Sequence, residues 1–200
     1  YVAPFFANGK PLHIQGFLQK FHRVAEKNII HLRKLATLNA PIIGIDPAIT
    51  LTYRNEYKEL IAAEQHGLDI LLPQEFLKRH LDKIPRAKQN KTYYLLSHCT
   101  EKSAHVASEK EWQTIFAAAG LTLNPLSAGC CGMAGSYGHE SEHAANSRAL
   151  FQMDWQQYTS TQKNILATGY SCRSQTKRMT NTQLFHPLEA LFNEIIEETL

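Results

Sequence analysis

Residues 92–99 read Thr-Tyr-Tyr-Leu-Leu-Ser-His-Cys, a short apolar run that ends at a histidine and a cysteine. An apolar run of this length predicts a buried β-strand. Three similar runs alternate with amphipathic segments along the chain, at residues 42–46, 68–72 and 164–168. Strands that alternate with helices predict an α/β fold with mainly parallel sheets flanked by helices.

Proline and capping signals indicate where the helices begin. Ser108 and Glu111 have the spacing of a capping box, which predicts a helix that starts at Ser108 and stops before Gly120. Proline at the first turn is typical of helix starts. The other predicted helices are 47–66, 73–81, 140–155 and a last one that opens at Pro187.

The composition limits the classes of protein that need to be considered. The chain has 200 residues, 44% of them hydrophobic, which suffices for one sizeable core or two small ones. Its 21 basic and 18 acidic residues give a net charge of +3, too little to indicate nucleic acid or an anionic membrane as partner. No apolar run approaches the roughly 20 residues of a transmembrane segment. The first residues resemble no signal peptide and include no initiator Met, so we expect part of a longer protein, located in the cytoplasm or peripheral to the inner face of the membrane.

The chain also repeats itself weakly. A shift of 123 positions places Ile42–Thr50 on Ile165–Arg173, and Ala7-Asn8-Gly9 on Cys130-Cys131-Gly132. The counterpart of Cys99 falls at 99 − 123 = −24, before the first residue. We therefore expect two related halves: residues 1–87, which lack cysteines and the start of the repeat, and residues 88–200, which carry them.

The four cysteines of the chain are the main candidate site. Each follows a predicted buried strand, and parallel α/β folds place the loops after their strands at one edge of the sheet. Adjacent thiols followed by glycine can both ligate while the backbone turns tightly. We therefore predict a metal or cluster site whose ligands are Cys99, Cys130, Cys131 and Cys172.

Three kinds of chemistry fit such a set of thiols. An iron–sulfur cluster and a tetrahedral zinc ion both accept four thiolates. In a thiol-redox site, Cys130 and Cys131 would instead cycle through a disulfide. This third interpretation is the least favoured, because adjacent cysteines close a strained ring and Gly169 stands where a Cys-x-x-Cys motif would begin.

These motifs resemble the cysteine-rich CCG domain of heterodisulfide reductase B subunits, anaerobic glycerol-3-phosphate dehydrogenase C subunits and glycolate oxidase iron–sulfur subunits. The pattern of that family is one Cys, a Cys-Cys-Gly and a final Cys-x-x-Cys. This chain matches it with Cys99, with Cys130-Cys131-Gly132 and with Cys172, while Gly169 replaces the fifth cysteine. The sequence segments 129–135 and 169–175 are similar to segments in the C-terminal region of large bacterial flavoproteins. Those proteins oxidise D-2-hydroxyacids such as D-lactate or D-2-hydroxyglutarate.

The resemblance implies an electron-transfer domain with a 4Fe–4S cluster, in a parent chain that also has an FAD-binding domain and a ferredoxin-type domain. Electrons would pass from FAD to a quinone or a protein acceptor, and this part alone would not oxidise substrate. The alternative is a zinc-stabilised structural or interaction module of the same enzyme. Around the site, we expect Gly132 to allow close backbone approach and Arg173 to add positive charge.

Other residues near the cysteines have ordinary interpretations. His98 is more typical of a hydrogen-bonding residue at a strand end than of a metal ligand. The spacing of His139 and His143 predicts one solvated helix face. Tyr137 either shields the site or packs beside it.

Overall fold

The computed structural model describes residues 1–61 and 67–196 of the chain. These form two compact units, Tyr1–Leu72 and Pro73–Leu200. In the described residues, no helix has the length and apolar character needed to cross a membrane.

The first unit is mainly helical and contains a small parallel sheet. Strands β1 (Ile42–Ile43) and β2 (Ile70–Leu71) pair in parallel, with Ile42 opposite Ile70. The helices are α1 (Lys10–Ile14), α2 (Leu18–Ala36), α3 (Pro47–Arg54) and α4 (Glu56–Leu60). The helix predicted after Pro47 thus breaks at Asn55, and its predicted end near His66 lies outside the described residues.

Helix α2 supplies most of the first unit's core. Its buried apolar residues recur every three to four positions and form one face, which packs against Tyr53 and Tyr57. They are Phe21, Ala25, Ile29 and Leu32. The capping and proline signals in the sequence did not predict this helix.

The second unit is built on a three-stranded parallel sheet of order β4-β3-β5. Its strands are β3 (Thr92–Leu96), β4 (Thr122–Pro125) and β5 (Ile165–Ala167). Leu95 lies opposite both Pro125 of β4 and Leu166 of β5. The helices are α5 (Pro73–Lys78), α6 (Cys99–Ala104), α7 (Ser108–Ala118), α8 (Ala144–Thr161), α9 (Tyr170–Thr180) and α10 (Pro187–Ile196). The predicted α/β class with parallel sheets is confirmed.

Each face of this sheet is covered by its own apolar cluster. Successive side chains of a strand point to opposite faces. Leu95 accordingly packs with Trp112 and Phe116 of α7, whereas Leu96 packs with Phe151 and Trp155 of α8. Cys131 and Cys172 belong to the second cluster, so half of the cysteine set is part of the core.

Along the chain, the first compact unit ends at Leu72 and the second begins at Pro73, while the division into related halves at residues 87 and 88 stays a prediction. Residues 73–87 belong to the second unit because their apolar side chains pack on its α7 side. These are Leu77, Leu81, Ile84 and Ala87.

The predicted shift of 123 positions also relates backbone features of the two units. Gly9 and Gly132 both have left-handed backbone, with φ of 77° and 87°. The residues that begin α3 and α9, Pro47 and Tyr170, fall on each other under the same shift. Descent of both units from one ancestral half stays a prediction.

Two local predictions were wrong. Ala107, not Ser108, is the N-cap of α7, because the Ser108 hydroxyl accepts a hydrogen bond from Gln74 Nε2 and donates one to buried Glu101 instead of accepting a backbone N–H. Helix α8 begins at Ala144 instead of Glu140, since two 3₁₀ turns, Tyr137–His139 and Ser141–His143, come first. His139 and His143 therefore do not share a helix face.

Candidate metal centre

The three loops that carry the cysteines leave the same edge of the parallel sheet. Cys99 is the first residue of α6, which follows β3. Cys130 and Cys131 lie in the loop after β4, and Cys172 lies in the first turn of α9, which follows β5. Because the carboxyl ends of parallel strands share one edge, residues far apart in sequence meet there.

The four thiols form a continuous chain of neighbours. The Cys130 thiol lies close enough to the thiols of Cys99 and Cys131 to shift their pKa values, and the Cys172 thiol does the same to Cys131. Cys99 and Cys172, the two ends of this chain, are also close enough for their charges to interact. All four cysteines lie in the described part of the chain, and all are free thiols. The structure thus brings together every residue that the sequence suggested as a ligand.

The cysteine site is open to solvent on one side only. Cys131 and Cys172 are buried among Met133, Phe151 and Trp155, whereas Cys130 is half-buried and Cys99 is exposed. The apolar side chains exclude water from one side of the site, and the other side is open to solvent. This arrangement suits a metal centre that must be kept dry yet exchange electrons with a partner.

The thiols perturb one another's acidity in opposite directions. Hydrogen bonds with the thiols of Cys131 and Cys99, and with the backbone N–H groups of Gly132 and Ala134, hold the pKa of Cys130 well below its usual range. The same contacts with Cys130, together with burial, raise the pKa of Cys99 and of Cys131. Without a bound cation, the four cysteines therefore favour a single thiolate, at Cys130, that is hydrogen-bonded by its neighbours. All four thiols can be deprotonated together only if a positive charge lies between them, as a bound metal supplies.

Gly132 fits the cysteine loop closely against helix α8. A Cβ atom at this position would lie 2.2 Å from the carbonyl oxygen of Ser147. The Ser147 hydroxyl donates to the Gly132 carbonyl oxygen at 2.7 Å, and the Gly132 N–H donates to Cys130 Sγ at 3.4 Å. The close backbone approach expected at Gly132 is therefore an approach to the backbone of α8. In this position, the Gly132 N–H points at the sulfur of Cys130.

His98 is buried between the loops of Cys99 and Cys172. Its Nδ1 accepts a hydrogen bond from the Thr100 N–H at 3.2 Å, which makes His98 the N-cap of α6. Its Nε2 lies 3.3 Å from the Ser171 hydroxyl on α9. The ring thus joins α6 to α9 through hydrogen bonds, in agreement with the hydrogen-bonding role expected for it.

Arg173 contacts the end of β5. Its guanidinium donates to the carbonyl oxygens of Ala167 and Thr168, at 2.9 and 3.0 Å, and lies over the ring of Tyr170. The charge expected beside the cysteines is therefore anchored where β5 turns into α9, next to Cys172 in sequence.

The buried carboxylate of Glu101, on the same helix as Cys99, was not predicted by any pattern in the sequence. Glu101 accepts hydrogen bonds from Gln74, Ser108 and Thr168, and Thr168 in turn accepts the N–H of His98. Burial raises the pKa of Glu101. These polar residues come from distant parts of the sequence, so only the fold shows that they support the Cys99 loop.

A second group of possible ligands lies at the surface. Across residues 1–61 and 67–196, Glu140, Glu142 and His143 are the only three potential ligand residues whose donor atoms lie within 4.8 Å of one another. Tyr137 stacks on the His143 ring, with centroids 3.9 Å apart, so it packs beside the loop. Exposed acidic groups of this kind are common without a metal.

Comparison with known proteins places the cysteine site in context. The chain is 45% identical over 192 residues to D-2-hydroxyglutarate dehydrogenase of Pseudomonas putida, which covers 96% of this chain and 19% of that protein. It is 42% identical over 199 residues to D-2-hydroxyglutarate dehydrogenase of Escherichia coli, covering 98% of this chain and 19% of that protein. The C subunit of anaerobic glycerol-3-phosphate dehydrogenase of Escherichia coli is 27% identical over 195 residues, which is 92% of this chain and 48% of that protein.

These relatives confirm the resemblance inferred from the cysteine motifs, and the matched relatives of both kinds are oxidoreductases by name. The chain spans about a fifth of the length of the D-2-hydroxyglutarate dehydrogenases that it matches. No protein-family model and no solved structure matches it.

Proposed function

We propose that this chain is the iron–sulfur, electron-transfer domain of a flavin-dependent dehydrogenase that oxidises D-2-hydroxyacids, with D-2-hydroxyglutarate as the substrate. FAD, bound by a part of the enzyme outside this chain, would release its electrons through this domain to an external quinone or protein acceptor. The observation that carries the proposal is the chain of contacts among Cys99, Cys130, Cys131 and Cys172 at one sheet edge.

The residues present fit a 4Fe–4S cluster. Four cysteine thiolates are the usual ligands of such a cluster, and N–H donors to the sulfurs tune its potential. Gly132 contributes one such donor to Cys130. When bound, a 4Fe–4S cluster supplies a one-electron carrier whose potential depends on charge, hydrogen bonds and exposure.

The spread of the sulfurs favours a cluster over a single zinc ion. Tetrahedral zinc with bonds of about 2.3 Å requires ligand sulfurs only about 3.8 Å apart. In the described residues, no three of the cysteine sulfurs lie within 4.8 Å of one another, although each contacts a neighbour. Such a chain of thiols suits a polynuclear centre, which separates its ligands more widely than one ion does.

One side of the cysteine site would exclude water, and the other would be accessible to an electron partner. Met133, Phe151 and Trp155 keep water from Cys131 and Cys172. Exposed Cys99 marks the side on which an electron partner would approach. His98 and Glu101 fix the Cys99 loop, which keeps the ligands arranged when a proton or metal is exchanged.

The chain would not oxidise substrate alone, because its sequence contains no Gly-x-Gly-x-x-Gly motif for FAD. We place the enzyme in the cytoplasm, where the reducing environment keeps cluster thiols free of disulfides.

Anaerobic purification of the longer enzyme, followed by iron, sulfide and zinc analysis, tests the proposal. We expect visible absorption that dithionite bleaches, and the loss of one cluster per chain in the variants Cys99→Ser and Cys172→Ser. Ser174→Ala, two residues beyond Cys172 on α9 and without a thiol, is the matched control and should keep full iron content. Stoichiometric zinc that the cysteine variants lose, with iron unchanged, would instead establish a structural zinc module.

A further inference from the structure

We propose that the open edge of β1 binds a parallel β-strand from the polypeptide that precedes residue 1 in the longer protein. This strand would be the first unit's counterpart of β3. The inference is independent of the cluster and rests on the repeat shared by the two units.

The repeat extends to individual contacts. A Cβ atom on Gly9 would meet the Val24 side chain of α2, and one on Gly132 would meet Ser147 of α8. The two contacts are related by the same shift, since 132 − 9 = 123 and 147 − 24 = 123. The Gly44 N–H donates to Leu71 O at 2.9 Å and the Ala167 N–H donates to Phe185 O at 3.0 Å; the donors are related by 167 − 44 = 123, whereas the acceptors are 185 − 71 = 114 positions apart. Strand β1 is therefore the counterpart of β5.

The two strands differ in what lies on their other edge. β5 pairs with β3, with Leu95 opposite Leu166. Among the residues that the structure describes, β1 pairs with β2 alone. The Gly44 N–H points to β2, and because backbone groups alternate along a strand, the Ile43 N–H points to the other, open edge.

Exposure of the apolar side chains follows from this difference. Ile43 and Ile45 are 38% and 60% exposed, whereas their counterparts Leu166 and Thr168 are 1% and 2% exposed. Ile43 on the unpaired edge, and Ile45 just after it, are exposed apolar side chains of the kind that proteins normally cover. In the second unit, Leu95 of β3 contributes to the burial of Leu166, together with side chains of α7 and α10.

The repeat also fixes the register of the proposed strand. Leu95 and its partner Leu166 are 166 − 95 = 71 residues apart, so the residue opposite Ile43 would lie 71 positions before it. The matched dehydrogenases are about five times as long as this chain, so most of their polypeptide lies outside the region that it matches. A segment of the same chain is favoured over a second copy, because the repeat specifies both its distance and its direction.

Hydrogen exchange of the longer protein, resolved to single amides, tests the proposal. The Ile43 amide should exchange at least about tenfold more slowly than an unpaired amide, and the amide of its counterpart Leu166, which is paired with β3, should show the same protection. This protection should not change when the protein is diluted. Free exchange at Ile43, or protection that disappears on dilution as expected for a second copy, would overturn the proposal.

Two lysine substitutions in the same protein provide an independent check. Ile45→Lys would place a charge under the added strand and should lower the midpoint of thermal unfolding by about 4 °C or more. Ile30→Lys is the matched control, because Ile30 on α2 is 57% exposed, similar to Ile45. Equal effects of the two substitutions would show that nothing covers Ile45.

Discussion

The imidazole of His98 occupies the space beside Gly169 in which a fifth cysteine side chain would stand. A Cβ atom on Gly169 would lie 2.3 Å from Cδ2 of His98 and 3.2 Å from Sγ of Cys172. The backbone at Gly169 has φ of −80°, which any residue can adopt. Space, not backbone strain, therefore excludes a side chain here, and the site is restricted to four thiols.

The contact between His98 and Gly169 can be measured by a double-mutant cycle. Gly169→Ala should lower the free energy of unfolding by about 1–3 kcal/mol, because the added methyl group overpacks the site. In the His98→Ala background the same substitution should cost much less, since the ring is gone. Urea unfolding of the four proteins gives the coupling energy. An equal cost of Gly169→Ala in both backgrounds would refute the contact.

Gly132 and Gly120 form a matched pair for the packing of the cysteine loop. Both have positive φ, 87° and 78°, but only Gly132 is crowded, since nothing lies within 4 Å of a Cβ atom on Gly120. Gly120→Ala should cost about 1 kcal/mol from backbone strain alone. Gly132→Ala should cost roughly 2–4 kcal/mol, because the loop must also move away from Ser147. Denaturant midpoints compare the two, and equal losses would contradict the tight fit of the loop against α8.

His186 should make the stability of the second unit depend on pH. Burial, with a smaller effect of the Arg173 charge, lowers the pKa of His186 to about 3. In the unfolded chain, histidine takes up a proton near pH 6.5, about 1.5 pH units above pH 5. Stability is therefore complete above about pH 6.5 and is lost progressively as the pH falls towards 3, by about 2 kcal/mol at pH 5.

His186→Asn isolates this effect. Asparagine can still accept the Leu188 N–H that His186 Nδ1 accepts at 3.1 Å, but it does not titrate. Unfolding free energies measured from pH 7.5 to 4.5 should fall more steeply for the parent protein than for the variant. Identical slopes would show that His186 is not the titrating group.

The cysteine site was predictable because its residues follow parallel strands. Apolar runs before Cys99 and Cys172 marked two of the strands, and the geometry of parallel sheets places their ends at one edge. β4 had no such run, since only Leu123 of its four residues is buried. Helix α2, by contrast, has a clear helical period, but it lacks the proline and side-chain capping signals by which the other helix starts were recognised.

The surroundings of the cysteines were not predictable, because they depend on side chains far apart in sequence. The spacing of Ser108 and Glu111 indicated a capping box, but in the fold the Ser108 hydroxyl oxygen accepts from Gln74 and its proton is donated to buried Glu101. No local pattern shows that His98 lies against Gly169 or that Gly132 lies against Ser147. Such contacts appear only when three loops are assembled in space.

The electron paramagnetic resonance spectrum of the anaerobically isolated longer enzyme, reduced with dithionite, shows whether the four cysteines hold a 4Fe–4S cluster. Comparison of the parent with Cys130→Ser and Cys131→Ser separates this site from any cluster elsewhere in the enzyme. The parent should show a reduced 4Fe–4S signal, about one spin per chain, that both variants lack. Identical spectra from the parent and the variants would contradict this prediction.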